Sequence, residues 1–300
     1  MRRGTIRRLA MGLVFISPWI MGFLFFTFHP LASSLYHSFT KYSVFRSSWA
    51  GLFNYQQMLR DETLHKSLYN TTYLVVLYVP LMLIFGFITA LILDATAKGT
   101  RIYRTIYYLP TMVPPVATAV LWQWILNPRY GIANAILGFL RLPQIGWLTS
   151  PTWSKPSMIL LMLWGVGGTT ILYLAALQNI PEVLYEAAEL DGAGWWAKTR
   201  HVTIPMVSTV TLFILIMGVI GGLQTFTEAW VMNPNPSDGT PGSGWPRQSL
   251  LFYTIYLYRT AFFHLGMGYA SAMAWVLFII ILTLTLILLR TSERWVFSWR

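Results

Sequence analysis

The chain has 300 residues, 55% of them hydrophobic and only 10% charged, with a mean hydropathy of +0.54; a soluble domain carries about 25% charged residues, so this one cannot cover a water-facing surface. Twenty-one Lys and Arg against ten Asp and Glu give a net charge of +11, yet these charges lie between apolar runs and read as membrane topology, which excludes a nucleic-acid footprint. Cysteine is absent, which excludes disulfides, thiol nucleophiles and thiolate metal sites.

Six apolar stretches, about 9–29, 72–95, 106–126, 156–177, 206–226 and 267–289, are each long enough to cross about 30 Å of hydrocarbon as helix. The expectation is an all-α, polytopic membrane protein forming a single transmembrane domain over residues 1–300. Six crossings put both termini on one side. That side holds Arg2, Arg3, Arg7, Arg8, Lys98, Arg101, Arg104, Lys198, Arg200, Arg290, Arg294 and Arg300. Lys41, Arg46, Arg60, Lys66, Arg129, Arg141, Lys155, Arg247 and Arg259 are spread over loops about twice as long on the other side. Both termini are therefore expected in the cytoplasm.

In chain order, the arginine-rich start and the small residues Ala32-Ser33-Ser34 imitate a secretory signal. About twenty apolar residues exceed a signal core, so an uncleaved first span is expected. Pro114-Pro115 inside the third stretch must kink or break its helix. Near its end Gln123 stands between Trp122 and Trp124. Asn134–Phe139 and Leu251–Phe262 read either as short interfacial helices or as a surface that receives a partner. On the fourth stretch Gly165, Thr169 and Tyr173 recur every four residues, next to Trp164, and are expected to share a face. On the fifth, Gly218, Gly222 and Thr225 recur with Gln224 beside them. Gly218-x-x-x-Gly222 reads as tight helix packing or as volume left for a solute, with Thr and Gln to bond hydroxyls and Trp164 to offer a ring face. Between the fifth and sixth stretches, the Gly and Pro of Asn233–Pro246 preclude regular structure.

Several chemistries are missing. None of the five lysines follows a glycine as a phosphate-binding loop requires, and His29, His37, His65, His201 and His264 lack the spacing of a metal site. Asp94 and Glu228 sit at span ends, so no ionisable group stands well inside a span as proton- or ion-coupled transport would need. The chain reads as a non-enzymatic, pore-forming part powered from elsewhere. Rival readings are a self-sufficient secondary transporter or channel, and a membrane-embedded glycosyltransferase-type enzyme, for which Asp61-Glu62 is the only paired-acid candidate.

Between the fourth and fifth stretches, residues 180–205 read as helix, turn, helix. Pro181 suits a helix start, Glu182–Leu190 are good helix formers, Asp191-Gly192 is turn chemistry with φ > 0 expected at Gly192, and Pro205 suits the start of the next span. Ala187-Ala188 lets another surface approach closely, while Glu186 and Glu189 offer charge to basic groups on it.

In order and spacing, Glu186-Ala187-Ala188, Asp191-Gly192-Ala193, Trp196, Val202-Thr203-Ile204 and Pro205 resemble the EAA loop of permease subunits of binding-protein-dependent ABC transporters. Gly51-Leu52-Phe53-Asn54-Tyr55, Asn70-Thr71, Gly131-Ile132-Ala133-Asn134, Trp147-Leu148, Ala175–Pro181 and Gly268–Ala272 extend the likeness to the carbohydrate and glycerol-phosphate branch, and to its MalF-type first permease. Two positions depart from the pattern. Thr199 replaces an aromatic residue whose space Trp195 or Trp196 is expected to fill, and Asn233-Pro234-Asn235-Pro236-Ser237 replaces a Thr-x-Gly-Gly-Pro.

The resemblance implies a type I importer permease with six helices in a bacterial or archaeal inner membrane, forming half of a pore for a sugar or a solute such as glycerol phosphate. Its implied partners are a second homologous permease, two cytoplasmic ATPases, an extracytoplasmic substrate-binding protein and membrane lipids, with no nucleic acid. No cofactor is expected on this chain, ATP-Mg being held by the ATPases. It assigns ATPase coupling to Glu186, Ala187, Ala188, Glu189, Asp191, Gly192, Ala193 and Trp196. Substrate contact falls to Trp164, Gly165, Thr169, Tyr173, Gly222, Gln224, Thr225 and Gln123.

Overall fold

The computed structural model describes residues 2–43, 46–95, 100–232 and 242–297. In chain order the helices are α1 (Arg2–Phe23), α2 (His29–Ser38), α3 (Phe53–Met58), α4 (Glu62–Ala95), α5 (Thr100–Tyr108), α6 (Pro115–Ile125), α7 (Ile132–Phe139) and α8 (Pro151–Trp164). There follow α9 (Gly167–Leu177), α10 (Glu182–Leu190), α11 (Trp195–Lys198), α12 (Ile204–Met206), α13 (Ser208–Leu223), α14 (Thr227–Met232), α15 (Tyr253–Phe262) and α16 (Met267–Ser292). Long helices are what apolar sequence in a bilayer requires, because each backbone N–H and C=O must be paired within the segment.

Among the described residues, Met11–Ser38, Glu62–Ala95 and Met267–Ser292 are single helices long and apolar enough to cross a membrane. Pro151–Trp164 with Gly167–Leu177, and Trp195–Met206 with Ser208–Leu223, are pairs bent by 47° and 64°. The first helix continues through a π-helical turn, Leu24–Phe28, to Ser38, nine residues past the expected end at position 29. The second begins at Glu62, ten residues before its apolar stretch. Stretch 106–126 is interrupted as the two prolines require: a 3₁₀ turn, Leu109–Met112, leads to extended backbone at Val113 (ψ 129°) and Pro114 (ψ 140°), and α6 starts at Pro115.

By contacts the chain divides into two compact units. The smaller, Met1–Asp61 with Leu257–Ile279, contains an antiparallel ribbon, β1 (Thr40–Ser43) paired with β2 (Arg46–Trp49), which an all-helical reading does not anticipate. In it, buried Asn54 donates to the carbonyls of Ser38 (2.8 Å) and Thr40 (2.9 Å). Tyr269 Oη donates to the Asp61 carboxylate at 2.7 Å. Asp61, half of the only acid pair an enzyme could have used, is thus a structural anchor.

The larger unit, Glu62–Tyr256 with Ile280–Arg300, is organised around α4, which packs against α8, α9 and α13. One apolar core gathers Leu74, Leu126, Met158, Leu250 and Phe252; another gathers Met82, Ala90, Tyr173, Leu174 and Ile214. α8 starts cleanly because Ser150 Oγ accepts from Thr152 N–H and Pro151 occupies the first turn. Two buried asparagines close the loops. Asn134 bonds the 128–147 segment, and Asn70 Nδ2 donates to the carbonyls of Gln248 (2.8 Å) and Leu251 (3.0 Å) while Oδ1 accepts from Lys155 Nζ (3.1 Å). Asn70→Ala strands these partners, at about 1–3 kcal/mol for each one left dry. The expected result is at least about 2 kcal/mol of destabilisation, read by thermal denaturation of the purified protein in detergent, and an unchanged midpoint would contradict it.

Candidate functional site

Two places gather the residues that the sequence singles out. The first is a cavity of about 440 Å³ walled by α4, α9, α13 and the start of α14. Thr169, Gly218, Gly222, Gln224 and Thr225 all line it. Its size falls within the roughly 300–1,000 Å³ typical of small-molecule sites. A neighbouring cavity of about 240 Å³ is lined by Trp164, Gly165, Thr118 and the broken segment around Thr111. Tyr78 and Glu228 line both. The sequence reading missed this pair as site residues; its available signal was an acid only four residues beyond Gln224 at the head of a short helix.

The two glycines of the fifth stretch line the cavity and also stand where α13 meets α4. A Cβ on Gly218 would lie 2.7 Å from the Met82 methyl, and one on Gly222 2.9 Å from a Val75 methyl, so these are the points where α13 touches α4. Thr225 is buried, and its hydroxyl donates to the i−4 carbonyl of Gly221 at 3.4 Å. Its own carbonyl accepts from the Thr254 hydroxyl. Thr169 is half-buried at the cavity wall.

Three expectations of geometry are corrected. Gly165, Thr169 and Tyr173 do not form one helical face, because the chain breaks at Gly165-Val166: Gly165 N–H bonds Met162 O and Val166 N–H bonds Leu163 O, ending α8 before α9 begins. Tyr173 is 2% exposed, with its ring edge-on to Phe87 at 5.5 Å, and belongs to the core. Gln123 is spent on the fold: its amide donates to the carbonyls of Val231 (2.7 Å) and Met232 (2.8 Å), closing the C-terminal end of α14. Trp164 packs edge-on to buried Trp122 at 6.3 Å.

The second place is the 180–205 loop. α10 begins at Glu182, with Pro181 as its N-cap, and ends in a Schellman closure: Ala193 N–H bonds Ala188 O and Gly192 N–H bonds Glu189 O, both at 2.9 Å. Gly192 has φ +77°, as Asp-Gly turn chemistry anticipates. Two side-chain contacts join the helices across this turn. Lys198 Nζ donates to Glu189 Oε1 at 2.6 Å, and the Tyr185 and Thr203 hydroxyls bond at 3.0 Å. Glu189 is therefore paired within the loop rather than free for another surface. Its side chain is 61% exposed, so the pair contributes at most about 1 kcal/mol.

Glu186, Ala187, Asp191 and Gly192 stay exposed, as do Val183 and Leu190 (90%) on the same stripe and both Trp195 and Trp196; Ala188 and Ala193 are half-covered. Thr199 is buried with its hydroxyl on Trp195 O, and neither tryptophan fills an inner gap. α11 continues through a π turn, Thr199–Thr203, to Met206, so Pro205 lies in the loop's second helix and the bend at Val207 precedes α13. Of the outer loop Asn233–Pro246, positions 233–241 lie outside the described residues, as do Lys98 and Arg300.

Residues 82–298 match the family described as the binding-protein-dependent transport system inner membrane component. The chain belongs to this family. It is 41% identical to the probable ABC transporter permease protein YesP of Bacillus subtilis, over 95% of this chain and 91% of that one. It is 32% identical to the arabinooligosaccharides transport system permease protein AraP of the same organism (93% and 87% covered). With the trehalose/maltose transport system permease protein MalF of Thermococcus litoralis it shares 30% (96% and 95%). A chain in the crystal structure of a bacterial alginate ABC transporter, in complex with alginate pentasaccharide-bound periplasmic protein, superposes with a TM-score of 0.84 at 24% identity, covering 97% of this chain and 96% of that one. The fold is thus that of a mostly helical ABC-transporter permease, a membrane protein of a transport family and not an enzyme.

Proposed function

We propose that this chain is one permease of an ATP-driven importer for a sugar, an oligosaccharide or a related solute such as glycerol phosphate, and supplies half of the pore. A second homologous permease completes the pore, two ATPases holding ATP-Mg bind on the cytoplasmic side, and an extracytoplasmic binding protein delivers the solute. The setting is a bacterial or archaeal inner membrane with both termini cytoplasmic. One observation carries the reading: Thr169, Gln224 and Thr225 converge on one cavity, while the exposed Glu186-Ala187 stripe is held on a braced helix–turn–helix. Arabinooligosaccharide and trehalose/maltose systems among the relatives support the sugar class.

A self-sufficient carrier would move solute with the permeases alone. The deciding experiment reconstitutes the complete transporter in proteoliposomes and measures ATPase stimulation by its binding protein loaded with candidate saccharides. Stimulation by a saccharide supports the reading; solute flux without the ATPases defeats it. Within that assay Glu186→Lys reverses the charge on the exposed stripe. The variant is expected to insert normally and to lose most of its stimulated ATPase activity. Wild-type transport by an assembled Glu186→Lys complex would remove the coupling role.

A further inference from the structure

α7 is inside out for a helix in water. Its polar side chain, Asn134, is buried and makes four bonds: Nδ2 donates to Pro128 O (3.1 Å) and Ile145 O (3.0 Å), and Oδ1 accepts from Ile145 N–H (3.2 Å) and Trp147 Nε1–H (2.9 Å). These bonds fix the helix's rotation. They leave Ile132, Ile136, Phe139 and Leu140, spaced i, i+4, i+7 and i+8, on the opposite side, with Phe139 88% exposed.

What covers this face is indicated by the chain around it. Only six residues separate Ile125, the end of α6, from Ile132, a tether of about 20 Å at most. α7 therefore stays at the end of α6, an apolar helix whose own Leu121 and Trp124 are exposed. Arg129 and Arg141 flank the helix, both exposed and without an ion-pair partner among the described residues. Arg141 stands at the C-terminal closure of α7, where its N–H meets Gly138 O and the N–H of Leu142 meets Leu137 O. Its φ of 58° is a conformation usually left to glycine. An arginine held there at a cost in backbone energy places a cation beside the apolar face, and an anion on that rim balances it. A soluble protein that docks and leaves would wet Phe139 in every cycle, whereas lipid covers it permanently.

We propose that α7 lies in the membrane interface, with Ile132, Ile136 and Phe139 among acyl chains and Arg129 and Arg141 on lipid phosphates. The face so anchored holds α6 at a set depth, and with it the Gln123 bonds to α14. The inference does not depend on which solute the pore carries.

The chain contains no cysteine, so Phe139→Cys or Ile136→Cys gives one attachment point in it for a nitroxide. The complete transporter, its other subunits freed of reactive cysteine, is reconstituted in vesicles of phosphatidylethanolamine and phosphatidylglycerol. Power saturation then compares access of oxygen with access of a water-soluble nickel chelate. The expected result is oxygen access at least several-fold higher than nickel access at both positions, with or without the binding protein. Adding Arg129→Gln and Arg141→Gly should move the label toward water while ATP-driven uptake persists. High nickel access at both positions overturns the proposal. So does shielding that requires the binding protein, or shielding from both reagents, which marks a protein occupant such as the second permease.

Discussion

Gly192→Val is expected to cut binding-protein-stimulated uptake by about tenfold while leaving the membrane-spanning part folded. At φ +77° a non-glycine residue costs about 1–2 kcal/mol, and a β-branched one sits at the unfavourable end. No atom lies within 4 Å of where a Cβ would stand, so the penalty is purely conformational. It falls on the two backbone bonds that end α10, Gly192 to Glu189 and Ala193 to Ala188. Loosening them redirects α11 relative to α10, which the Glu189–Lys198 and Tyr185–Thr203 contacts resist. A penalty of 1.4 kcal/mol is a factor of ten in population, which sets the expected loss. Co-purification of the ATPase and uptake should fall together, with the denaturation midpoint in detergent nearly constant. Gly192→Asn, which tolerates the left-handed region, should retain most activity. A valine variant that transports like the wild type would show that the turn's geometry does not govern coupling.

Local chemistry was the most legible part of this chain. Pro114-Pro115 announces a break because proline removes a donor wherever it stands, and Asp191-Gly192 announces a left-handed turn for equally local reasons. Apolar stretches located the membrane helices but not their ends. The first turns of α4, Glu62–Thr71, are too polar to register as span, and they are held as helix by tertiary bonds such as that of Asn70 to Leu251, 181 positions away. The ribbon of β1 and β2 is too short to mark hydropathy at the length of a membrane span.

At the candidate site, residue types were legible and their surroundings were not. Spacing of four residues from Gly165 to Tyr173 predicts a shared face only if the helix is continuous, and no proline marks the break at Gly165. Gln123 looks like a solute ligand until the carbonyls of α14, 108 positions later, arrive beside it. Asn54, Asn70 and Asn134 stood within the family-like motifs without an assigned task; each proves to be a buried clamp on backbone carbonyls. Thr169, Gln224 and Thr225 do meet at one cavity, because α9 and α13 both pack on α4.

That packing leads to the most damaging substitution expected in the larger unit, Gly167→Val at the start of α9. A Cβ at Gly167 would fall on the carbonyl oxygen of Tyr107, with the carbonyl carbon at 2.8 Å and Tyr108 Cα at 3.0 Å. These are backbone atoms that cannot rotate away, so α5 and α9 must separate. Overpacking a fitted contact costs about 1–3 kcal/mol and more when only backbone can yield. At the size of this unit about 3 kcal/mol corresponds to a fall of roughly 6–12 °C in denaturation midpoint. Because α9 also carries Thr169, the cavity wall shifts with it, and uptake should be lost even in the protein that survives purification. The adjacent glycine supplies the control. At Gly168 a Cβ would have only the Thr111 methyl within reach, at 3.9 Å, so Gly168→Ala should match the wild type in midpoint and uptake. Equal behaviour of the two variants would mean that the close approach of α5 to α9 is not what positions the cavity wall.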